Sequence, residues 1–249
     1  MCPERKPSRN KHGFVSRITL ILERKVQVTR IRLFAAGKMR KGEVVPAGIA
    51  LLSFVVGIYF FPHMPDEMAI HWNASGHADG YASKSWGFFL LPAFSLLMLL
   101  ILLAIPKIDP LRENIEKFRK HYDRFLALMS TLFLYLYLLV VLWNMGFRFD
   151  LLQLLTPMLG VLFYFIGVLA ENAKKNWSIG VRTPWTLSSE IVWDKTNRIC
   201  GKLFRIGGVV IAFGLLFPGY ALLFMLVPAL LLTVFTTVYS YFEYQEQLD

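Results

Sequence analysis

The sequence predicts an all-α integral membrane protein with six transmembrane helices, both termini inside, and short interfacial amphipathic helices. Three observations carry that fold class. Its 249 residues are 55% hydrophobic with a mean hydropathy of +0.48, too apolar for a soluble domain of this size. Residues 44–62, 85–106, 125–147 and 151–170 contain no Asp, Glu, Lys or Arg, and 206–242 is a fifth such run, interrupted by Pro218-Gly219. A helix of about 20 apolar residues crosses the hydrocarbon layer, and dividing the last run at Pro218-Gly219 yields six spans. The runs are continuous rather than alternating, which excludes a strand barrel. The third observation is how the cations are sorted. Twelve Lys/Arg precede Val44, six lie between Lys107 and Arg124, and seven lie in 171–205, whereas the intervening loops hold only Lys84 and Arg148. Alternate loops are therefore basic, which places both termini on the inner side. The net charge of +10 marks topology and contact with anionic headgroups rather than direct nucleic-acid binding.

The elements follow in order. Residues 1–43 form a basic tail in which 14–34 mixes Val15, Ile18, Ile21 and Leu22 with Arg17, Arg24 and Lys25, the pattern of a short surface helix. Met39 is an alternative natural start. Helix one, 45–61, stops at Pro62, which cannot continue the hydrogen-bond ladder. The outer loop 63–84 holds turn sites at Asn73, Gly76 and Asp79-Gly80, and a short extended segment at 68–72. Helix two, 86–105, contains Pro92. In the inner loop, Asp109-Pro110 starts an amphipathic helix whose Leu111, Ile115, Phe118 and Tyr122 recur at helical spacing. Helices three (125–147) and four (151–170) have a short turn between them and no buried charge; Gly160 and Gly167 permit close helix approach. Ser188 or Ser189 caps the next helix, on which Val192, Thr196, Ile199, Leu203 and Ile206 form the apolar stripe. Helix six spans 220–242. This divides the chain into the tail, a segment 44–124 with helices one and two, and a segment 125–249 with the rest. Cys2 and Cys200 form neither a disulfide frame nor a metal spacing.

Two segments carry more than topology. Residues 62–84, PHMPDEMAIHWNASGHADGYASK, resemble the outer loop of a small-domain family of bacterial and archaeal membrane proteins; Pro65, His71, Asn73, Gly76, Asp79, Gly80 and Lys84 match. Residues 179–204, IGVRTPWTLSSEIVWDKTNRICGKLF, are similar to the C-terminal signature of the SdpI immunity-protein family. The matching positions are Gly180, Arg182, Thr183, Pro184, Trp185, Thr186, Leu187, Trp193, Thr196 and Arg198. The resemblance implies a multi-pass protein of the cell membrane that confers immunity to a secreted peptide toxin. It also implies one that holds a cytoplasmic transcriptional repressor at the membrane.

The residues themselves suit docking. Arg182 can make forked, charge-assisted bonds, Thr183-Pro184 pre-sets a turn, and Trp177, Trp185 and Trp193 suit headgroup depth with wet N–H groups. The competing reading has the tryptophans only anchoring the loop and Arg182 pinning it to a helix end. Candidate binding residues are therefore His71, Asn73, Gly76, Asp79 and Lys84 outside, and Gly180, Arg182, Thr183, Pro184, Trp185, Trp193 and Arg198 inside. His71, His77 and Asp79 are weak metal donors, because H-x5-H-x-D matches no common site. An outer-loop metal sensor and a small-molecule or peptide transporter stay as alternatives, although the charge-free spans argue against ion coupling. No nucleophile elbow, H-E-x-x-H or phosphate-cradling Gly loop occurs, so neither an enzyme nor a cofactor is expected.

Overall fold

A computed structural model describes residues 40–248. The surface helix expected within 14–34, the alternative start at Met39 and Cys2 lie outside the described residues. Helix α1 (Lys41–Phe60) runs through a 3-10 turn, Phe61–His63, into strands β1 (Glu67–Trp72) and β2 (Ala78–Ser83). Then come α2 (Lys84–Ile108), α3 (Arg112–Lys117), α4 (Arg119–Asn144) and α5 (Leu151–Asn172). The chain ends with α6 (Pro184–Ser188), α7 (Glu190–Phe213) and α8 (Ala221–Gln245). Six of these, α1, α2, α4, α5, α7 and α8, are long and apolar enough to cross a membrane, as expected. Their outward faces are the apolar faces: Leu230, Leu231 and Val234 of α8 are each more than 60% exposed, a surface that suits lipid and not water.

Two antiparallel helices, α5 and α7, meet backbone to backbone. A Cβ placed on Gly208 would stand 2.5 Å from the Gly160 carbonyl oxygen, and one on Gly201 would stand 2.7 Å from that of Gly167. Only hydrogen fits at these four positions. In hydrocarbon no hydrophobic force joins helices, so van der Waals contact across such small-residue seams supplies the attraction. The Arg205–Glu171 ion pair, 3.0 Å, lies along the same seam. This corrects the expected apolar stripe. Val192 and Thr196 of that stripe are buried, Ile199 and Leu203 are half-buried and Ile206 is exposed; the buried face is Val192, Trp193, Thr196, Asn197, Cys200, Gly201, Gly207, Gly208 and Ile211. Close backbone approach selects small residues, and in lipid the bulky aliphatic ones face outward.

The other spans pack around α4. Gly57 of α1 is approached by the Tyr137 hydroxyl, and Phe88 of α2 packs edge-on against the same ring at 5.6 Å. Helix α4 begins earlier than expected, at Arg119, so that span does carry a buried charge. Arg119 donates to Glu43 of α1 (2.7 Å) and to Asp123 (2.8 Å), and the Arg119 and Glu43 side chains are both under 10% exposed. Arg40 extends the cluster through Glu116 at 2.7 Å, and that hydrogen bond raises the Arg40 pKa above its usual value. The charges sit at the ends of α1 and α4 rather than mid-span, where desolvation costs most. Beside them Ile115, Phe118 and Tyr122 of the expected amphipathic stripe join Leu99, Leu169, Ile179 and Trp193 in one core that draws on α2, α3, α4, α5 and α7.

The seam is tested by adding one carbon. Gly208→Ala should destabilise the chain by about 1–3 kcal/mol through overpacking. Gly48→Ala, where nothing lies within 4 Å of the added carbon, should be neutral or slightly stabilising. Thermal unfolding midpoints of the two variants in the same detergent check this.

Candidate functional site

The extended segment expected at 68–72 is β1, and it has a partner strand. β1 and β2 pair antiparallel with Ala69 opposite Tyr81 and Met68 opposite Ala82, and the register is irregular near His71. Asn73 builds the turn. Its Oδ1 accepts the N–H groups of Ser75 (3.0 Å) and His77 (3.1 Å), and its own N–H donates to the His77 carbonyl at 2.9 Å. Gly76 sits at φ +76°, a conformation that favours glycine, and a Cβ there would approach the Asp150 carboxylate to 3.1 Å. The turn therefore falls at 73–77. Asp79-Gly80, also expected to turn, lies inside β2, where pairing with β1 overrides local preference.

The hairpin is docked, not loose. Met68 and Ala69 are fully buried, Met68 in a cluster with Phe88, Tyr137 and Val141. Asn144, the last residue of α4, acts as a one-residue strand: its Oδ1 accepts the Ala69 N–H at 2.8 Å and its Nδ2 donates to the Ala69 carbonyl at 3.0 Å. Trp72 packs edge-on against Trp143 at 5.5 Å, and the Arg148 guanidinium covers the Trp143 ring at 4.0 Å.

The motif at 176–198 is a knot of amides and one carboxylate. Asn176 is fully buried with both ends of its amide used. Oδ1 accepts the N–H groups of Ser178 (2.8 Å) and Ile179 (2.6 Å), while Nδ2 donates to the carbonyls of Lys174 and Ile179, both at 2.8 Å. Asn197 accepts the Val181 N–H at 2.8 Å. Between them Gly180, at φ +114°, presses onto Asn197 and the Trp193 ring, leaving no room for a Cβ. Asp109, at the end of α2 and 3% exposed, fastens the motif to the loop that follows that helix. It accepts the Trp177 N–H (3.0 Å), the Ser178 hydroxyl (2.5 Å) and the Leu111 N–H (2.7 Å). Asn114 adds a bond to the Lys175 carbonyl at 2.8 Å. On its other flank the motif meets α8: Thr183 donates to Ser240 at 3.0 Å, Ser189 to Gln247 at 2.6 Å, and Trp185 packs on Tyr241 at 5.2 Å.

The hairpin and the knot lie at opposite ends of α2, a helix of 25 residues. At a rise of about 1.5 Å per residue that is roughly 37 Å, enough to cross a bilayer. The model of the SdpI/YfhL protein family matches residues 172–240, which contain Asn176, Gly180, Trp193, Asn197 and the Thr183–Ser240 contact but not Asp109. The C-terminal part of the chain is thus similar to the SdpI/YfhL protein family. A domain of unknown function, DUF1648, matches residues 48–96, which contain the hairpin. The chain is also similar to "Immunity protein SdpI" of Bacillus subtilis (strain 168), 28% identical over 210 residues, covering 83% of this chain and 97% of that relative. No solved structure matches. The resemblance read from the two motifs thus holds in order and position, and the chain is a multi-pass protein of the cell membrane.

Within residues 172–240 the expected residues divide. Thr183 caps α6 by accepting the Thr186 N–H at 3.2 Å, with Pro184 in the first turn. Arg182 is exposed and donates to the Trp177 carbonyl at 2.7 Å, which pins the loop. Trp193 is corrected: it is fully buried, and its indole N–H donates to the Ala173 carbonyl at 2.9 Å instead of meeting water. Trp177, 55% exposed, fits the expected surface position. Arg198 is exposed and separate from the knot, with no ion-pair or hydrogen-bond partner among the described residues.

In the hairpin, His71 Nδ1 and Asp79 Oδ1 come together at 2.5 Å, both exposed. His77 makes no side-chain bond with them, and no group of three His, Cys, Asp or Glu side chains gathers among the described residues. Lys84 stands apart, its ammonium 4.8 Å from the Phe61 ring centre. Asp109, Asn144, Asn176 and Asn197 were not among the expected site residues. Their signal was a carboxamide or carboxylate beside a span, where an unpaired polar group is costly.

Removing the Asp109 carboxylate leaves three part-buried donors, the Trp177 N–H, the Ser178 hydroxyl and the Leu111 N–H, without their acceptor, at a cost of about 1–3 kcal/mol each at most. Asp109→Ala should therefore open the 173–183 loop. Trypsin cleavage after Lys174 or Lys175 should become at least several-fold faster than in the unchanged chain, read by mass spectrometry of membranes open on both sides.

Proposed function

We propose that this chain is a membrane immunity protein. It protects its cell from a secreted peptide toxin that is met at the outer hairpin. The observation that carries this reading is the match to an immunity protein over 97% of that relative's length, with the hairpin and the family knot at opposite ends of one spanning helix. In the proposed orientation the basic loops 107–124 and 171–205 lie inside, and both chain ends do too. The hairpin is then the outer face, rigid enough to be a preformed docking surface. The inner knot supplies a fixed scaffold, and its exposed Arg182 and Trp177, with Arg198 apart from them on α7, form a surface for a cytoplasmic protein, a transcriptional repressor in the fuller version of this reading.

Survival tests the reading. A host killed by the peptide toxin of the producing strain should grow when it expresses this chain, and Asp109→Ala should reduce that protection. Full killing at normal membrane levels of the unchanged chain would overturn it.

A further inference from the structure

The hairpin has two edges, and only one is closed. Opposite residues of an antiparallel ladder alternate: one pair exchanges both backbone bonds, the next points both its groups away. Asn144 settles which pair is which. The Ala69 N–H donates to Asn144 Oδ1 at 2.8 Å, so it points away from β2. Its carbonyl accepts from Asn144 Nδ2 at 3.0 Å on the same side. Ala69 stands opposite Tyr81. The N–H and carbonyl of Tyr81 therefore point away from β1, out of the free edge of β2. Ser83, opposite Glu67 and two residues on, has the same sense. The Lys84 N–H, bonded to the Asp66 carbonyl at 2.8 Å, fits the alternation. Ser83 is the N-cap of α2, so its carbonyl begins that helix's ladder, whereas the outward N–H and carbonyl of Tyr81 meet no partner outside the hairpin among the described residues.

We propose that the outer edge of β2 is a strand-addition site for an extended peptide bearing cationic and apolar side chains. This deepens the immunity reading and rests on it. Edge strands are ordinarily guarded by lysine, proline or a bulge. β2 reads Ala-Asp-Gly-Tyr-Ala-Ser, with none of the first two; the register irregularities leave Ile70 extra on β1 and Asp79 extra on β2, and the stretch Tyr81–Ser83 beyond them pairs regularly with Glu67–Ala69. Tyr81 is 58% exposed, so the edge is reachable. Its surroundings choose the occupant. Asp66, Glu67, Asp79 and Asp150 outnumber Lys84 and Arg148, whose cations already lie over the Phe61 and Trp143 rings. Ile70, Tyr81 and Trp86 offer exposed apolar surface at the same end of the bundle. Main-chain bonds would hold the peptide, and side chains on alternate positions would select it.

The edge can be tested with the full chain in nanodiscs of neutral lipid. The probe is a fluorescent peptide of alternating Lys and Val, followed by anisotropy, together with the same peptide N-methylated at alternate residues. Tyr81→Pro deletes one outward donor and keeps the inward bonds of Gly80 and Ala82, whereas Tyr81→Val keeps the donor and loses only the ring. The unmodified probe should bind the unchanged chain and the Tyr81→Val chain saturably. Binding should fall about tenfold or more for Tyr81→Pro or for the N-methylated probe. Absent binding to the unchanged chain, or equal binding of both probes, overturns the proposal; the second comparison needs no altered protein. Loss of a dimer with Tyr81→Pro and no change in probe binding would also overturn it, by assigning the edge to a second copy. Survival separates the two ideas. If the unchanged chain and Tyr81→Pro protect cells equally, strand addition fails and immunity stands. If neither protects, immunity fails.

Discussion

Two pairs of glycines let the backbones of α5 and α7 touch, and the end of the molecule that carries the knot takes its shape from that contact. With the helices this close, Trp193 lies fully buried within reach of the Ala173 carbonyl where α5 ends. The chain leaving α5 must then fold back over the indole. Asn176 and Asn197 supply the backbone partners that the tight path lacks, and Gly180 supplies the positive φ. Asp109 ties the result to the end of α2. A buried amide or carboxylate with its partners satisfied fixes one arrangement, because each alternative leaves a costly unpaired group. The family segment is thus a rigid body built on the seam.

The hairpin end obeys the same rule with different parts. A two-stranded hairpin is marginal in isolation. Here Met68 and Ala69 are buried against the helices, and Asn144 gives β1 the bonds a third strand would give. One edge is finished by a side chain and the other is left open. Between the two ends the spans hold no mid-membrane charge; the Glu43–Arg119–Asp123 cluster sits at helix ends, where it joins α1 to α4. That distribution suits a protein that presents surfaces on two sides of a membrane better than one that moves an ion through it.

Much of this was legible in the residues. Charge-free windows located the six spans because lipid tolerates little else, and the two motifs located the hairpin and the knot. What escaped has physical reasons. The second strand was hidden because Asp79-Gly80 has turn chemistry, and only tertiary pairing makes it extended. The stripe on α7 was taken from aliphatic spacing, a rule for water-soluble helices. In lipid the small residues go inside and Ile206 goes out. Trp193 was expected at the headgroups, as tryptophan at a span's end often is, but an acceptor carbonyl lies within reach of its N–H. Asp109 and Asn144 take their meaning from partners more than 60 residues away in sequence, which no local pattern contains.

The account depends on the hairpin and the knot facing opposite compartments. Single cysteines at Tyr81 and at Arg198, in a chain carrying Cys2→Ser and Cys200→Ala, would report this with a membrane-impermeant maleimide. The account predicts that the Tyr81→Cys chain labels in intact cells and that the Arg198→Cys chain labels only after the membrane is opened. Labelling of both in intact cells, or of neither, would contradict it.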